Sequence, residues 1–192
     1  MDALSHCIEA YVSTNTAPSA LDPMILHGIS LIGRYLPTAV AQPNNHEARE
    51  NVMLGAMIGG IAISSRWLGA AHALAHQLST FANVHHGLAC SLMLPHQMAF
   101  SLPAAVERYG RIAAALDPTL VTVTDHQAAE YAVDAVCRLV AAVALPTRLR
   151  DVGVTEEMIP ELTHHARLDL NWATNPRPVS EADLEGMYRA AY

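Results

Sequence analysis

The sequence predicts a single all-α domain of about eight or nine helices, and three observations carry that prediction. The 192 residues are 52% hydrophobic but only 5% aromatic. The apolar share is therefore mostly Ala, Leu, Val, Ile and Met, which favours helices over a sheet of aromatic and β-branched residues. Apolar residues recur at helical spacing, most clearly at Ala132, Val136, Leu139, Val140 and Val143. Strand-like patterning is confined to Val121-Thr122-Val123. A chain of this length buries a core without disulfide or metal staples.

The elements follow in order. Residues 2–13 read as a helix. Asp22-Pro23 reads as a helix start, with Asp as N-cap and Pro in the first turn, and that helix is expected to end near Tyr35, before Pro37. Gln42 to His46 reads as a loop. A long helix then runs from about Glu47 into the 60s, is interrupted at Ser64-Ser65-Arg66, and resumes through Leu78. Within it, the uncharged run Val52 to Ile63 is shorter than the ~20 residues of a membrane span, and Gly59 and Gly60 suggest close helix packing. Asn83 to Gly87 is a turn, Leu88 to Phe100 a buried helix, and Pro103 to Leu116 another, stopped by Asp117-Pro118. Thr124 with Gln127 forms a capping box for the next helix, which ends at Leu145-Pro146-Thr147. Thr155 caps a short helix reaching about Leu168, and Ser180 with Asp183 opens the last.

Charge and composition exclude several chemistries. The net charge of −7 and pI near 5.8 lack the basic footprint that nucleic acid requires. All 11 basic residues are Arg, so Schiff-base lysines and a P-loop lysine are excluded. Cys7, Cys90 and Cys137 contain no C-x-x-C, and three free thiols suit a reducing cytoplasm. The acidic start Met1-Asp2 lacks the basic region of a signal peptide. The conspicuous surplus is histidine, at 11 residues.

Three segments concentrate it. Asp2 and His6 stand at i and i+4, so a helix turns a carboxylate and an imidazole to one face. His72 and His76 repeat that spacing in an almost wholly apolar segment, where each ring nitrogen needs a partner. Ala73 stands where H-E-x-x-H proteases have their glutamate, which excludes a zincin. His85-His86-Gly87 follows at a turn. The same residues also read as an exposed ion pair, a ligand-free core histidine pair and solvated turn histidines. Taken together they offer one carboxylate and up to five imidazoles, a donor set for Fe(II), Zn, Co or Mn at an open catalytic site. A helical metal phosphohydrolase is disfavoured, because no His is followed by Asp.

The strings MDALSHCIEAYVS, LGAAHALAHQLSTFANVHHGLACSLMLPH, SLPAAVERYGRIA, LPTRLRDVGV and TNPRPVSEADLEGMYRAAY resemble iron-containing (group III) alcohol dehydrogenases, in the family's order and almost from end to end. The resemblance implies the family's helical C-terminal domain, of the dehydroquinate synthase-like superfamily. It implies Asp2, His6, His72 and His86 as metal ligands, with His85 standing where relatives commonly have Pro and so a second candidate at that step. It implies His76 near the nicotinamide and substrate, as proton relay or cofactor contact. The implied chemistry is oxidation of an alcohol to an aldehyde or ketone: Fe2+, or Zn2+ or another divalent metal, polarises the substrate oxygen while hydride moves to NAD+ or NADP+.

Departures from the family pattern bear on the pocket. Trp67 replaces a usual glycine, Gln77 and Ser79 replace frequent Pro and Gly, and Asn171 stands where many relatives have Cys. Ile63, Trp67, Asn171 and Trp172 are the expected substrate-pocket residues. Nothing in residues 1–192 matches the family's Gly-Gly-Gly-Ser dinucleotide loop or the strand, turn and helix such a loop needs. The chain therefore reads as the metal-binding half of a longer enzyme, with Met1 an internal methionine, cytoplasmic, inactive alone, and acting on a small alcohol or aldehyde. No nucleic-acid or membrane partner is expected, and homo-oligomers are compatible. The competing reading is a non-catalytic helical metal-binding or self-associating protein derived from that domain.

Overall fold

The computed structural model describes residues 1–15, 19–120 and 126–192, and the described residues hold nine α-helices joined by turns and short 3₁₀ segments, with no strand. The helices are α1 (Asp2–Val12), α2 (Asp22–Ala41), α3 (His46–Arg66), α4 (Ala70–Phe81), α5 (His86–Ser101), α6 (Val106–Leu116), α7 (His126–Ala142), α8 (Ile159–Leu168) and α9 (Glu181–Ala191). The strand-like residues Val121 to Val123 and the Thr124 cap lie outside the described residues.

Helix α1 is the hub. It packs on α2, α3 and α5, and its Leu4, Cys7, Ile8, Ala10 and Tyr11 are fully buried. The approach to α3 is close because Gly59 has no side chain: a Cβ there would lie 2.9 Å from the Ala3 carbonyl oxygen. Gly60 faces open space, so only one of the two glycines serves packing. Helix α4 is buried along most of its length, from Ala70 to Leu78, and Tyr188 of α9 ties to it by donating to the Leu74 carbonyl at 2.7 Å. The stripe expected on α7 is inside, with Ala132 and Val136 fully buried.

Several boundaries differ from the sequence expectation, each for a physical reason. Helix α2 runs through Pro37 to Ala41, since packing along α3 outweighs the roughly 3 kcal/mol cost of an interior proline. Its N-cap is Leu21, not Asp22, because the Asp22 carboxylate is drawn to Arg66 at 2.5 Å and Arg108 at 3.3 Å. By length and composition α2 could cross a membrane, a feature the run-length reading of residues 52–63 overlooks. Here Ile25, Gly28, Ile29, Leu31 and Ile32 are buried, and they form the face that packs against the other helices. The chain breaks at Trp67 to Gly69 rather than at Ser64 to Arg66. Ser64 and Ser65 stay helical by donating back to the Gly60 and Ile61 carbonyls at 2.8 and 3.0 Å. Thr155 precedes a 3₁₀ turn, and α8 begins at Ile159, with Pro160 in its first turn. The Ser180–Asp183 capping box is present.

Candidate metal centre

Three helices bring the histidine segments together. The first turn of α1 presents Asp2 and His6, the buried α4 presents His72 and His76, and the start of α5 presents His86. His85 caps α5 from an exposed position, whereas His86 turns inward. The Nε2 atoms of His6, His72 and His86 lie 3.2, 3.5 and 3.5 Å from one carboxylate oxygen, Asp2 Oδ1. The rings crowd one another: His6 and His72 stack at 4.9 Å, and His76 and His86 at 5.3 Å. An ion with bonds of about 2.0–2.1 Å to nitrogen and oxygen needs tetrahedral donors about 3.4 Å apart. The three Asp2-to-imidazole separations meet that requirement, and Asp2, His72 and His86 belong to one group of donor atoms that fits a divalent metal, whereas His6 stands outside that group and touches it through Asp2.

Electrostatics follow from burial and pairing. Hydrogen bonding to His72 holds the Asp2 carboxyl well below the usual carboxylate range, against the opposing effect of burial. Burial lowers the pKa values of His6 and His86. Burial also works against a proton on His72, but the Glu9 charge and the Asp2 contact outweigh it and raise that pKa.

The structure adds three groups that the sequence reading leaves unassigned. Glu9, fully buried on α1, sets one carboxylate oxygen against His72 Nδ1 and the other 2.9 Å from the Ala71 backbone N–H. Its charge thus sits at the N-terminus of α4, where unpaired N–H groups favour an anion. Gly69 leaves the room, since a Cβ there would meet Glu9 Oε1 at 2.7 Å. Asp169 accepts from His76 Nδ1 at 2.8 Å. Cys90, one turn beyond His86, lies with Asp2, His72 and His86 in a group whose donor atoms are all within 4.8 Å of one another. Asp2, His6 and Glu9 share a helix face, and His86 and Cys90 repeat the i, i+4 spacing, so both additions had a signal in the sequence. Asp169, 93 positions from its partner, had none.

The expected pocket residues are placed unevenly. Asn171 joins the His76 side of the site, donating its backbone N–H and side-chain amide to Asp169 Oδ1 at 2.9 and 2.7 Å. Trp172 is half-buried, and its indole N–H donates to the Arg167 carbonyl at 3.2 Å. Ile63 and Trp67 sit together at the end of α3, where the Trp67 N–H donates to the Ile63 carbonyl at 2.9 Å. Trp67 is 54% exposed and holds φ 68°, ψ −166°, and the adjoining Leu68 carbonyl accepts from Thr174 at 2.5 Å.

Comparison with known proteins agrees with this architecture. The family signature described as Fe-containing alcohol dehydrogenase family, C-terminal, matches residues 1–192. The chain is 36% identical to 1,3-propanediol dehydrogenase of Klebsiella pneumoniae over 192 residues, all of this chain and 49% of that protein. It is 34% identical to lactaldehyde reductase of Escherichia coli K12 over 192 residues, all of this chain and 50% of that one. A crystal structure of 1,3-propanediol oxidoreductase superposes with a TM-score of 0.96 at 35% identity, covering all of this chain and 50% of that one. Sulfoacetaldehyde reductase from Bifidobacterium kashiwanohense, solved in complex with NAD+, gives 0.85 at 30% identity over 98% of this chain and 48% of that one. The chain spans about half the length of the curated relatives it matches. It belongs to the Fe-containing alcohol dehydrogenase family and corresponds to that family's all-α C-terminal part.

Proposed function

We propose that residues 1–192 form the metal-binding catalytic part of an NAD- or NADP-dependent alcohol dehydrogenase, with the dinucleotide-binding domain outside this chain. One observation carries the reading: three imidazole Nε2 atoms converge on Asp2 Oδ1 at 3.2, 3.5 and 3.5 Å. Asp2, His6, His72 and His86 would hold the cation, iron as in the family's name, with Zn2+ also suited to these donors. Such a cation, when bound, supplies Lewis-acid polarisation of an alcohol or carbonyl oxygen, and the nicotinamide accepts or returns the hydride.

The chain's own residues prepare that chemistry. Glu9 faces His72 Nδ1 and would hold the proton there, so that a cation, when bound, would replace the proton on Nε2. Asp169 does the same for His76, whose Nε2 is then available to take or return the substrate proton, or to touch the nicotinamide. Asn171 holds the Asp169 carboxylate in place. Ile63, Trp67, Asn171 and Trp172 would bound a pocket for a small alcohol or aldehyde, the kind of compound named in relatives such as the propanediol dehydrogenase and the lactaldehyde reductase. Free cysteines, two of them buried, support a reducing cytoplasm.

Elemental analysis of the purified chain tests this. His72→Ala and His86→Ala should each abolish stoichiometric metal, and unchanged metal content would overturn the ligand set. The chain alone should form no NADH or NADPH from alcohol. Production by the pure protein would overturn the proposed division of labour.

One observation favours a second reading, self-association of a non-catalytic derivative. Val40, Met53, Leu54 and Met57 are 40–67% exposed on α2 and α3, an apolar ridge that a second copy of the chain would cover. A clean monomer by light scattering, with no hydrophobic-dye binding, would remove it.

A further inference from the structure

Cys90 has no part in the ligand set inferred from the family, yet its position relative to that set is specific. Its Sγ lies 3.6 Å from Asp2 Oδ1, 3.7 Å from His72 Nε2 and 3.6 Å from His86 Nε2. The side chain is fully buried. Helix α5 places it one turn after His86, so imidazole and thiol point to the same side.

The separations have the lengths of a mixed coordination shell. With metal–nitrogen and metal–oxygen bonds of about 2.0–2.1 Å and a metal–sulfur bond of about 2.3 Å, tetrahedral geometry puts light donors about 3.4 Å apart and sulfur about 3.6 Å from each. The light-atom pairs Asp2–His72 and Asp2–His86 are both at 3.5 Å, and all three sulfur separations fall at 3.6–3.7 Å. In the metal-free chain the same contacts are hydrogen bonds, with the thiol donating to Asp2 and facing the two imidazole nitrogens, so the three donor atoms already converge on sulfur.

We propose that Cys90 Sγ is a ligand of the same ion as Asp2, His72 and His86, so that this chain's centre takes a thiophilic divalent cation such as Zn2+ or Co2+. This rests on the metal-centre reading above and puts sulfur in the position that reading gives to His6, which stands outside the group of donor atoms within 4.8 Å of one another. The thiol proton passes to solvent as the metal–sulfur bond forms, with no change of oxidation state. A thiolate among oxygen and nitrogen donors favours zinc and cobalt over harder ions.

Cobalt reports the sulfur directly. Co2+ is titrated anaerobically into the metal-free chain and followed from the near-ultraviolet to the visible. The expected result is an intense sulfur-to-cobalt charge-transfer band that saturates at one equivalent. It should vanish in Cys90→Ser and persist in Cys137→Ser. Cys90→Ser should still bind Co2+, at least about tenfold more weakly. Visible cobalt bands without charge transfer, or a charge-transfer band surviving in Cys90→Ser, would overturn the sulfur ligand while leaving the centre intact. A wild-type chain that binds no Co2+ would overturn the centre and the sulfur ligand together. If Cys90→Ser does not fold, X-ray absorption of the zinc-loaded wild type decides: sulfur bonded to zinc supports the proposal, and a shell of nitrogen and oxygen alone refutes it.

Discussion

Glu9 and His72, 63 positions apart, meet where the Glu9 side chain of α1 reaches the first turn of α4, with a carboxylate oxygen against the imidazole Nδ1. Both side chains are removed from water, at 0% and 1% exposure. The helix N-terminus supplies further compensation through the Ala71 N–H at 2.9 Å and the His72 N–H at 3.3 Å. The contact joins fold and chemistry, because the carboxylate that tethers α4 to α1 also orients one of the proposed ligands.

That double role sets different outcomes for two substitutions. Glu9→Gln keeps the shape but loses the charge that directs His72, so metal affinity should fall by about 10–100-fold with the fold retained. Glu9→Ala leaves a buried imidazole and the α4 N–H groups unpaired and should cost about 3–5 kcal/mol. Metal titration and denaturant unfolding of both variants check this. Wild-type affinity in Glu9→Gln would show that His72 needs no such partner.

Gly59 and Gly60 give a matched pair. A Cβ at Gly59 would lie 2.9 Å from the Ala3 carbonyl oxygen and 3.2 Å from His6 Cβ. The obstacle is backbone, so the turn of α1 that carries Asp2 and His6 must shift. Gly59→Ala should cost about 1–3 kcal/mol and weaken metal binding. Gly60 has open space, and Gly60→Ala should add about 0.5–1 kcal/mol through helix propensity. Thermal melts of the two variants should shift in opposite directions, and equal shifts would contradict the packing described.

What the sequence disclosed depended on the range of the forces involved. Local signals read correctly: the Ser180–Asp183 box starts α9 where expected, and the α7 stripe faces inward because helical periodicity is a property of neighbours. Pro37 misled because its penalty is local while the packing that overrides it comes from α3. Asp22 misled similarly, since its capping role was displaced by Arg66, 44 positions away (66 − 22). In the site, the i, i+4 pairs Asp2–His6 and His72–His76 exposed the clustering. Glu9 lies on the Asp2–His6 face, but an acid on a helix usually faces water, so its burial is not visible in the local pattern. Asp169 was beyond reach, since no local pattern links it to His76.

Trp67 stores strain that can be released. Its backbone, at φ 68° and ψ −166°, occupies a region used essentially by glycine alone, at a cost of about 1–3 kcal/mol. With 54% of its surface exposed, the side chain recovers only part of that cost by burial. Trp67→Gly should therefore stabilise the chain by about 1 kcal/mol net, after the entropy that glycine adds to the unfolded state. Trp67→Ala keeps a Cβ and should bring no gain. Urea unfolding of the two variants separates backbone strain from loss of the indole. Equal stability of the Gly and Ala variants would show that the strain costs nothing.

Asp169 and His76 yield a dependence on pH with a definite sign. Burial alone would raise the Asp169 carboxyl, but the Asn171 N–H and His76 hold it below the usual carboxylate value. A carboxyl with a depressed folded pKa stabilises the fold above its unfolded pKa, about 3.9. That stabilisation is lost as pH falls through the folded value. His76 is 38% exposed, so solvent limits the effect to about 1 kcal/mol. Asp169→Asn should accordingly be about 1 kcal/mol less stable than wild type at pH 7, with the gap closing as the pH drops below about 4. Chemical denaturation of both proteins across that range is the measurement. A gap that does not change with pH would mean the charge on Asp169 contributes nothing, and that only its shape holds His76 in place.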